Sequence, residues 1–281
     1  MAVRINFNIE CNTDGETIRE NIRKSEIYRA HRVRYGKPLS LSPVALVGGG
    51  PSTAASLDIL RQWPGDIYAI NDTAGYLSDK GIPSFLYSID CSRYPYKIGP
   101  LVKGALLASR CHRRQFTQFD RQDVQTFDLA EDFAGGITGG PTGACRAPLL
   151  FLRMGYINVF LFGCDGSFGN LDMTHVSGFQ KVAYDNMMFV QVDGIDYLTN
   201  ASLTVQTEYL AKVLTKFPRY LTNASDGLLT AMVAHPDSWV VSAVTEDLKK
   251  QVEKKGMQYF FHEYRPAEHR VWQPAAGGQA S

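Results

Sequence analysis

The sequence predicts an α/β protein with a mainly parallel sheet and helices on both of its faces. Three observations carry this. Short β-branched or aromatic runs alternate with helical stretches between residues 44 and 225, the rhythm of βαβ units. Several of those runs are apolar throughout, as strands covered on both sides must be. Two junctions leading into helices are rich in glycine, Gly48–Gly50 and Gly135–Gly143, and such turns are where folds of this class receive ligands.

Residues 1–43 are read as a polar, helical N-terminal extension. Ile18, Ile22, Ile27 and Val33 give its basic stretch a thin apolar stripe, so a surface helix is expected. It either packs on its own domain with its charges solvated or serves as a basic arm toward an anionic substrate. Residues 44–235 are read as the main α/β domain. Its expected elements are a strand at VALVG (44–48), a helix from Ser52 to Trp63, a strand at DIYAIN (66–71) and a helix at Ala74–Lys80. Strands follow at SFLYSID (84–90), ALLASR (105–110) and VQTF (124–127). The loop GGITGGPTG (135–143) leads into an apolar helix ending near Met154 and Gly155, in which Pro148 makes a kink or marks the first turn. NVFLFGCD (158–165) is the most hydrophobic strand, whereas GSFGNLDMTHVSGF (166–179) shows no periodicity. A helix at Thr204–Phe217 and a strand and turn at RYLTNAS (219–225) close the domain. Residues 236–273, with WVVSAV (239–244), a charged helix at 245–255 and QYFFHEY (258–264), extend the sheet or cap it, and 274–281 read as a disordered tail.

Composition narrows the function. Over 281 residues, 44% hydrophobic and 20% charged residues are ordinary for a globular chain. A net charge of +1 gives no strong nucleic-acid signal and no general pull toward an anionic membrane. The five cysteines are scattered without CxxC spacing, which suggests neither a zinc site nor a disulfide framework. The N-terminus lacks the pattern of a signal peptide and no apolar run is long enough for a membrane span, so a cytoplasmic location is expected.

Candidate chemistry gathers at predicted strand ends. Gly48, Gly49 and Gly50 let a backbone approach a ligand or adopt positive φ, and Pro51 and Ser52 open a helix whose N–H groups suit a phosphate. The alternative is a tight turn with no ligand. With Gly48 and Gly50 as the first two glycines of a dinucleotide fingerprint, the third falls on Thr53, so an NAD site is poorly matched. Asn71, Asp72, Asp90 and Asp165 sit at predicted strand ends, where they line a crevice or cap turns. The second loop repeats the first, with Thr138, Gly139, Gly140 and Thr142 before a helix. His175, in the polar loop, can titrate near neutral pH and act as a general base. HExxH, nucleophile-elbow and Walker patterns do not occur, nor does an Asp-x-Asp pair suited to a sugar-nucleotide metal site.

The succession GGGPS (48–52), Asn71, SID (88–90), ITGGPTG (137–143) and GYINVFLFGCD (155–165), followed by His175, resembles the MptE-like domain family. That family includes archaeal hydroxymethylpterin diphosphokinases and bacterial motility accessory factors. The same order is similar to that of single-domain bacterial sialyltransferases. The likeness spans residues 43–235. It implies that residues 44–235 form a Rossmann-like, nucleotide-binding transferase domain with helices on both faces of its sheet, whose donor nucleotide lies against Gly48, Gly49, Gly50, Pro51, Ser52, Asn71, Asp90, Thr138, Gly139 and Gly140. His175 would be the catalytic base, with Asp165 beside it. Two departures stand out. Ser167 and Phe168 occupy the place where the sialyltransferases carry tyrosines, which argues against CMP-sialic acid. SIDCS stands in place of the Asp-Leu-Asp-Gly metal motif of the pterin kinases, keeping only Asp90.

The expected function is therefore transfer from a nucleotide-activated small-molecule donor to an acceptor hydroxyl, foremost glycosyl transfer, with no required cofactor and an unspecified metal requirement. The alternatives are a Mg²⁺-dependent diphosphokinase, with Asp90 or Asp72 as ligands, and a nucleotide-binding module without catalysis. The acceptor and the oligomeric state, a homo-oligomer included, stay open.

Overall fold

A computed structural model describes residues 13–36, 39–169, 175–176, 187–236, 238–242 and 246–254. Helix α1 (Gly15–Ser25) is capped by Asp14, whose carboxylate accepts from the Thr17 N–H at 2.8 Å. There follow β1 (Val44–Val47), a 3₁₀ turn at Pro51–Ser56, α2 (Leu57–Arg61), β2 (Asp66–Ile70), α3 (Thr73–Asp79), β3 (Ser84–Ser88), β4 (Val102–Ala108), α4 (Arg113–Phe116), β5 (Val124–Phe127), α5 (Gly143–Met154) and β6 (Val159–Phe162). The chain continues through β7 (Met187–Val192), β8 (Ile195–Asn200), α6 (Ala201–Lys216), β9 (Leu221–Asn223), α7 (Gly227–Ala234), β10 (Trp239–Ser242) and α8 (Glu246–Lys254). Seven strands form one parallel sheet in the order β5-β4-β3-β2-β1-β6-β9. Among the described residues no helix is long and apolar enough to cross a membrane.

The all-apolar strands are buried on both sides, as their composition requires: all four residues of β1 are fully buried. Leu46, Tyr68 and Leu161 stand abreast in register, so they share a face. On that face the Phe151 ring of α5 lies 4.9 Å from Tyr68. Phe160 and Phe162 flank Leu161 and point the other way, where Trp63, just beyond α2, meets them edge-on at 5.0 and 5.4 Å. Each such buried side chain contributes about 1.5–3 kcal/mol.

The N-terminal segment packs on its own domain. Tyr28 lies 4.9 Å from Phe116, Asn21 donates to the Arg110 carbonyl at 3.1 Å, and the Val33 N–H bonds Thr126 at 2.7 Å. The last contact covers the outer edge of β5, which would otherwise offer unpaired backbone groups.

Four features differ from the sequence reading or add to it. The helix after the first glycine loop begins as a 3₁₀ turn and has only five α-helical residues. Pro148 lies at mid-helix rather than in the first turn of α5. The aperiodic region is followed by an antiparallel hairpin, β7–β8, turned by Asp193 and Gly194 at φ 50° and 79°. Finally, β10 pairs with β7 in a separate sheet of order β10-β7-β8 and does not extend the main one. The run QYFFHEY and the tail at 274–281 lie outside the described residues.

Candidate functional site

The strand order places a topological switch point between β1 and β6. From β1 the sheet grows outward to β5; β6 then begins the other side. In open parallel sheets the ligand crevice lies beyond the carboxyl ends of the strands at such a point. Here the segment after β1 is Gly48–Gly50 and that after β6 is Gly163–Asp165. A cleft of about 250 Å³ opens between them, lined also by Asn71, Thr142, Gly143 and His175.

Each of the three glycines is explained by a protein neighbour. A Cβ on Gly48 would stand 2.5 Å from the Gly163 carbonyl oxygen, and one on Gly49 1.7 Å from Nε2 of His175. One on Gly50 would stand 2.5 Å from an Asp165 carboxylate oxygen. None of the three has a positive φ, so close approach and not an unusual backbone calls for glycine here. The expectation of unpaired N–H groups at Ser52 is corrected as well. The buried Asp165 carboxylate accepts from the Ser52 N–H at 2.7 Å, from the Ser52 hydroxyl, and from the Asp226 N–H at 3.1 Å. An internal anion thus occupies the start of the 3₁₀ turn and ties β1, β6 and α7 together. Pro51 and Ser52 border a neighbouring hollow of about 650 Å³ with Tyr197, Leu198 and Asp226.

His175 rests over Gly49, and the Val176 N–H bonds the Gly49 carbonyl at 2.9 Å. Burial pushes the His175 imidazole pKa below its ordinary value, while the charge of Asp72 pulls it back up. The ring is therefore held neutral near pH 7, beside a carboxylate that favours its protonated form. Asn71 takes a left-handed conformation at φ 52°, which asparagine tolerates better than most residues. Its buried side-chain oxygen has no hydrogen-bond partner.

The second glycine loop adjoins both this cleft and a larger one. Thr142 caps α5, its hydroxyl oxygen accepting from the Cys145 N–H at 3.4 Å. Gly143 and Ala144 behind it head a 12-residue helix, where backbone N–H groups have no intrahelical acceptor. Thr142 also borders a cleft of about 1050 Å³ that holds Asp90, Gly139, Gly140, Arg93, Arg110 and Arg146. Arg110 grips Asp132 through two bonds of 2.9 and 2.7 Å. The buried Arg146 grips Glu131 in the same manner and leaves its Nε without a partner. Asp90 accepts from the Ser92 N–H and hydroxyl, each at 2.9 Å, and from the Tyr96 hydroxyl at 2.8 Å.

The predicted residues therefore divide. Gly48, Gly49, Gly50, Asn71, Asp165 and His175 meet at the switch point, whereas Asp90, Gly139 and Gly140 line the larger cleft. Thr138 is exposed and borders neither. Sequence reasoning missed Arg93, Arg110 and Arg146, scattered arginines without a motif. It also passed over Gly163 and Gly166, which stand on either side of the predicted Asp165 and adopt φ 60° and 69°. Among the described residues no three His, Cys, Asp or Glu side chains are grouped to hold a metal ion.

The architecture has a solved counterpart. It is similar in fold to the MAf glycosyltransferase from Magnetospirillum magneticum AMB-1. The two share 19% identity and superpose with a TM-score of 0.54 over 78% of this chain and 38% of that one. This chain thus spans well under half of the length of the protein it matches. At that identity the likeness is one of fold. No family model matches the chain, and no curated protein matches it.

Proposed function

We propose that the chain is a glycosyltransferase-like enzyme that uses a nucleotide-activated donor. One observation carries this reading: a half-buried, neutral His175 faces a switch-point cleft that also receives the N-terminus of α5. The donor spans the small and large clefts across Thr142. Its phosphate turns toward the N–H groups of Gly143 and Ala144 and the positive end of α5. It keeps away from Ser52, where the Asp165 carboxylate would repel it. The fold likeness to a MAf glycosyltransferase supports the same class of chemistry.

In this reading the acceptor hydroxyl attacks the anomeric carbon as the bond to the leaving phosphate oxygen breaks. His175 takes the hydroxyl proton, and Asp72 favours the imidazolium that results. The α5 N-terminus receives the charge left on the phosphate. Asp165 positions the glycine loop. Diphosphate transfer is less well supported, because the carboxylate of Asp90 is already engaged by Ser92 and Tyr96.

A thermal-shift panel of CMP, CDP, UDP, GDP, AMP and ATP, each with and without Mg²⁺, tests the reading. Ligands that bind only the folded state raise the midpoint by mass action. The expected result is a shift with a pyrimidine or guanine nucleotide that does not require Mg²⁺. A shift confined to adenine nucleotides with Mg²⁺ would transfer support to the diphosphokinase, and a flat panel would remove the nucleotide site.

A further inference from the structure

We propose that the groove between α1 and α4 is a binding site for a phosphate-bearing ligand, separate from the donor clefts. The hollow measures about 640 Å³ and is lined by Arg19, Arg23, Lys24, Arg93, His112 and Arg114, with Glu16 and Glu20 among its remaining walls. Its cations come from α1, from the loop after β3 and from α4, so the fold assembles them. Two share a single carboxylate: Glu20 holds Arg23 at 2.9 Å and Lys24 at 2.8 Å. Arg19, Arg93 and Arg114 have no carboxylate partner among the described residues. Three unpaired guanidinium forks around one hollow, in a chain of net charge only +1, form a local concentration of positive charge. Guanidinium forks match the oxygens of phosphate in pairs.

The state of His112 agrees with this geometry. Its pKa is lowered, first by burial and then by the charges of Arg114, Arg93, Lys24 and Arg113. An anion in the groove would relieve that mutual repulsion. The groove also adjoins the larger donor cleft, for Thr17 and Arg93 border both. A phosphate held here lies next to the donor without sharing its seat, as suits a phosphorylated acceptor; the acceptor role alone rests on the transferase reading. A free phosphate and one carried on a lipid headgroup present the same chemistry to the groove.

Calorimetric titration of pyrophosphate into the full chain, with and without the nucleotide found by the panel, tests the site. The exposed pair Arg19→Gln with Arg114→Gln removes two forks without touching the switch point, and Glu20→Gln frees Arg23 and Lys24. Pyrophosphate is expected to bind the unmodified chain about tenfold or more tightly than the double variant. Glu20→Gln should strengthen binding several-fold, and saturating nucleotide should leave it unchanged. Equal affinity in all three chains would overturn the proposal, as would one-for-one displacement by the nucleotide. Sedimentation with phosphatidic acid vesicles, lost in the double variant, would assign a headgroup; pyrophosphate binding without sedimentation would assign a free phosphate. A flat nucleotide panel with intact pyrophosphate binding would defeat the transferase reading and leave this site standing.

Discussion

Buried and receiving three hydrogen bonds, Asp165 joins residues that lie far apart in the chain. Asp165→Ala would strand the Ser52 and Asp226 N–H groups, and charge-assisted bonds of this kind contribute about 1.5–3 kcal/mol. Urea denaturation should record a loss of that order. His175 belongs to the chemistry instead. His175→Gln should lower kcat about 10²–10⁴-fold and preserve the nucleotide-induced thermal shift; unchanged turnover would take His175 out of the mechanism. The pH dependence has a definite sign. His175 and His112 both have folded pKa values below the ordinary value of about 6.5, so the folded state favours their neutral forms. Their contribution to stability is present above that value and is lost as pH falls below it, because the unfolded chain then binds more protons. The acid limb of the activity profile should likewise lie below about pH 6.5, and a limb above it would contradict a neutral, half-buried His175. At this scale the sequence marked Ser52, Asp165 and His175 as candidates but not who their partners are. Ser52 and Asp165 meet across a separation of 113 residues, which no local pattern encodes.

Most elements were legible because their periodicity and punctuation are local. The strands at VALVG, DIYAIN, SFLYSID, VQTF and NVFLFGCD fall where their apolar runs stand. Helix α6 begins at Ala201, three residues ahead of the expected Thr204, because Asn200 caps it through the Leu203 N–H at 2.8 Å. The β7–β8 hairpin was missed although Asp193-Gly194 between two alternating runs is a strong hairpin signal; the aperiodic stretch before it obscured it. With Gly194 at φ 79°, Gly194→Ala should cost about 1 kcal/mol, read as a lowered thermal midpoint. Thr142→Ala should cost a similar amount, about 1 kcal/mol, through the lost α5 cap. It should also weaken the nucleotide-induced shift if the donor phosphate sits at that helix end, and an unchanged shift would place the phosphate elsewhere.

On the scale of the whole molecule, the site is a product of strand order. Placing β6 beside β1 rather than beside β5 brings two glycine turns, 115 residues apart from Gly48 to Gly163, into contact. The nucleotide panel therefore probes the topology as much as any residue: disturbing that junction should abolish its shifts. Gly163→Ala does so directly, since its Cβ would stand 1.9 Å from the Thr53 hydroxyl. The sequence by itself determined the α/β class and the parallel character of the sheet. Those properties rest on local composition and on the burial that apolar strands require. Tertiary structure alone decided that Asp165 fills the turn at Ser52, that three glycines face protein neighbours, and that arginines of three elements converge on one groove. These depend on contacts between distant segments, and such contacts follow from strand order and packing, which short-range patterns do not record.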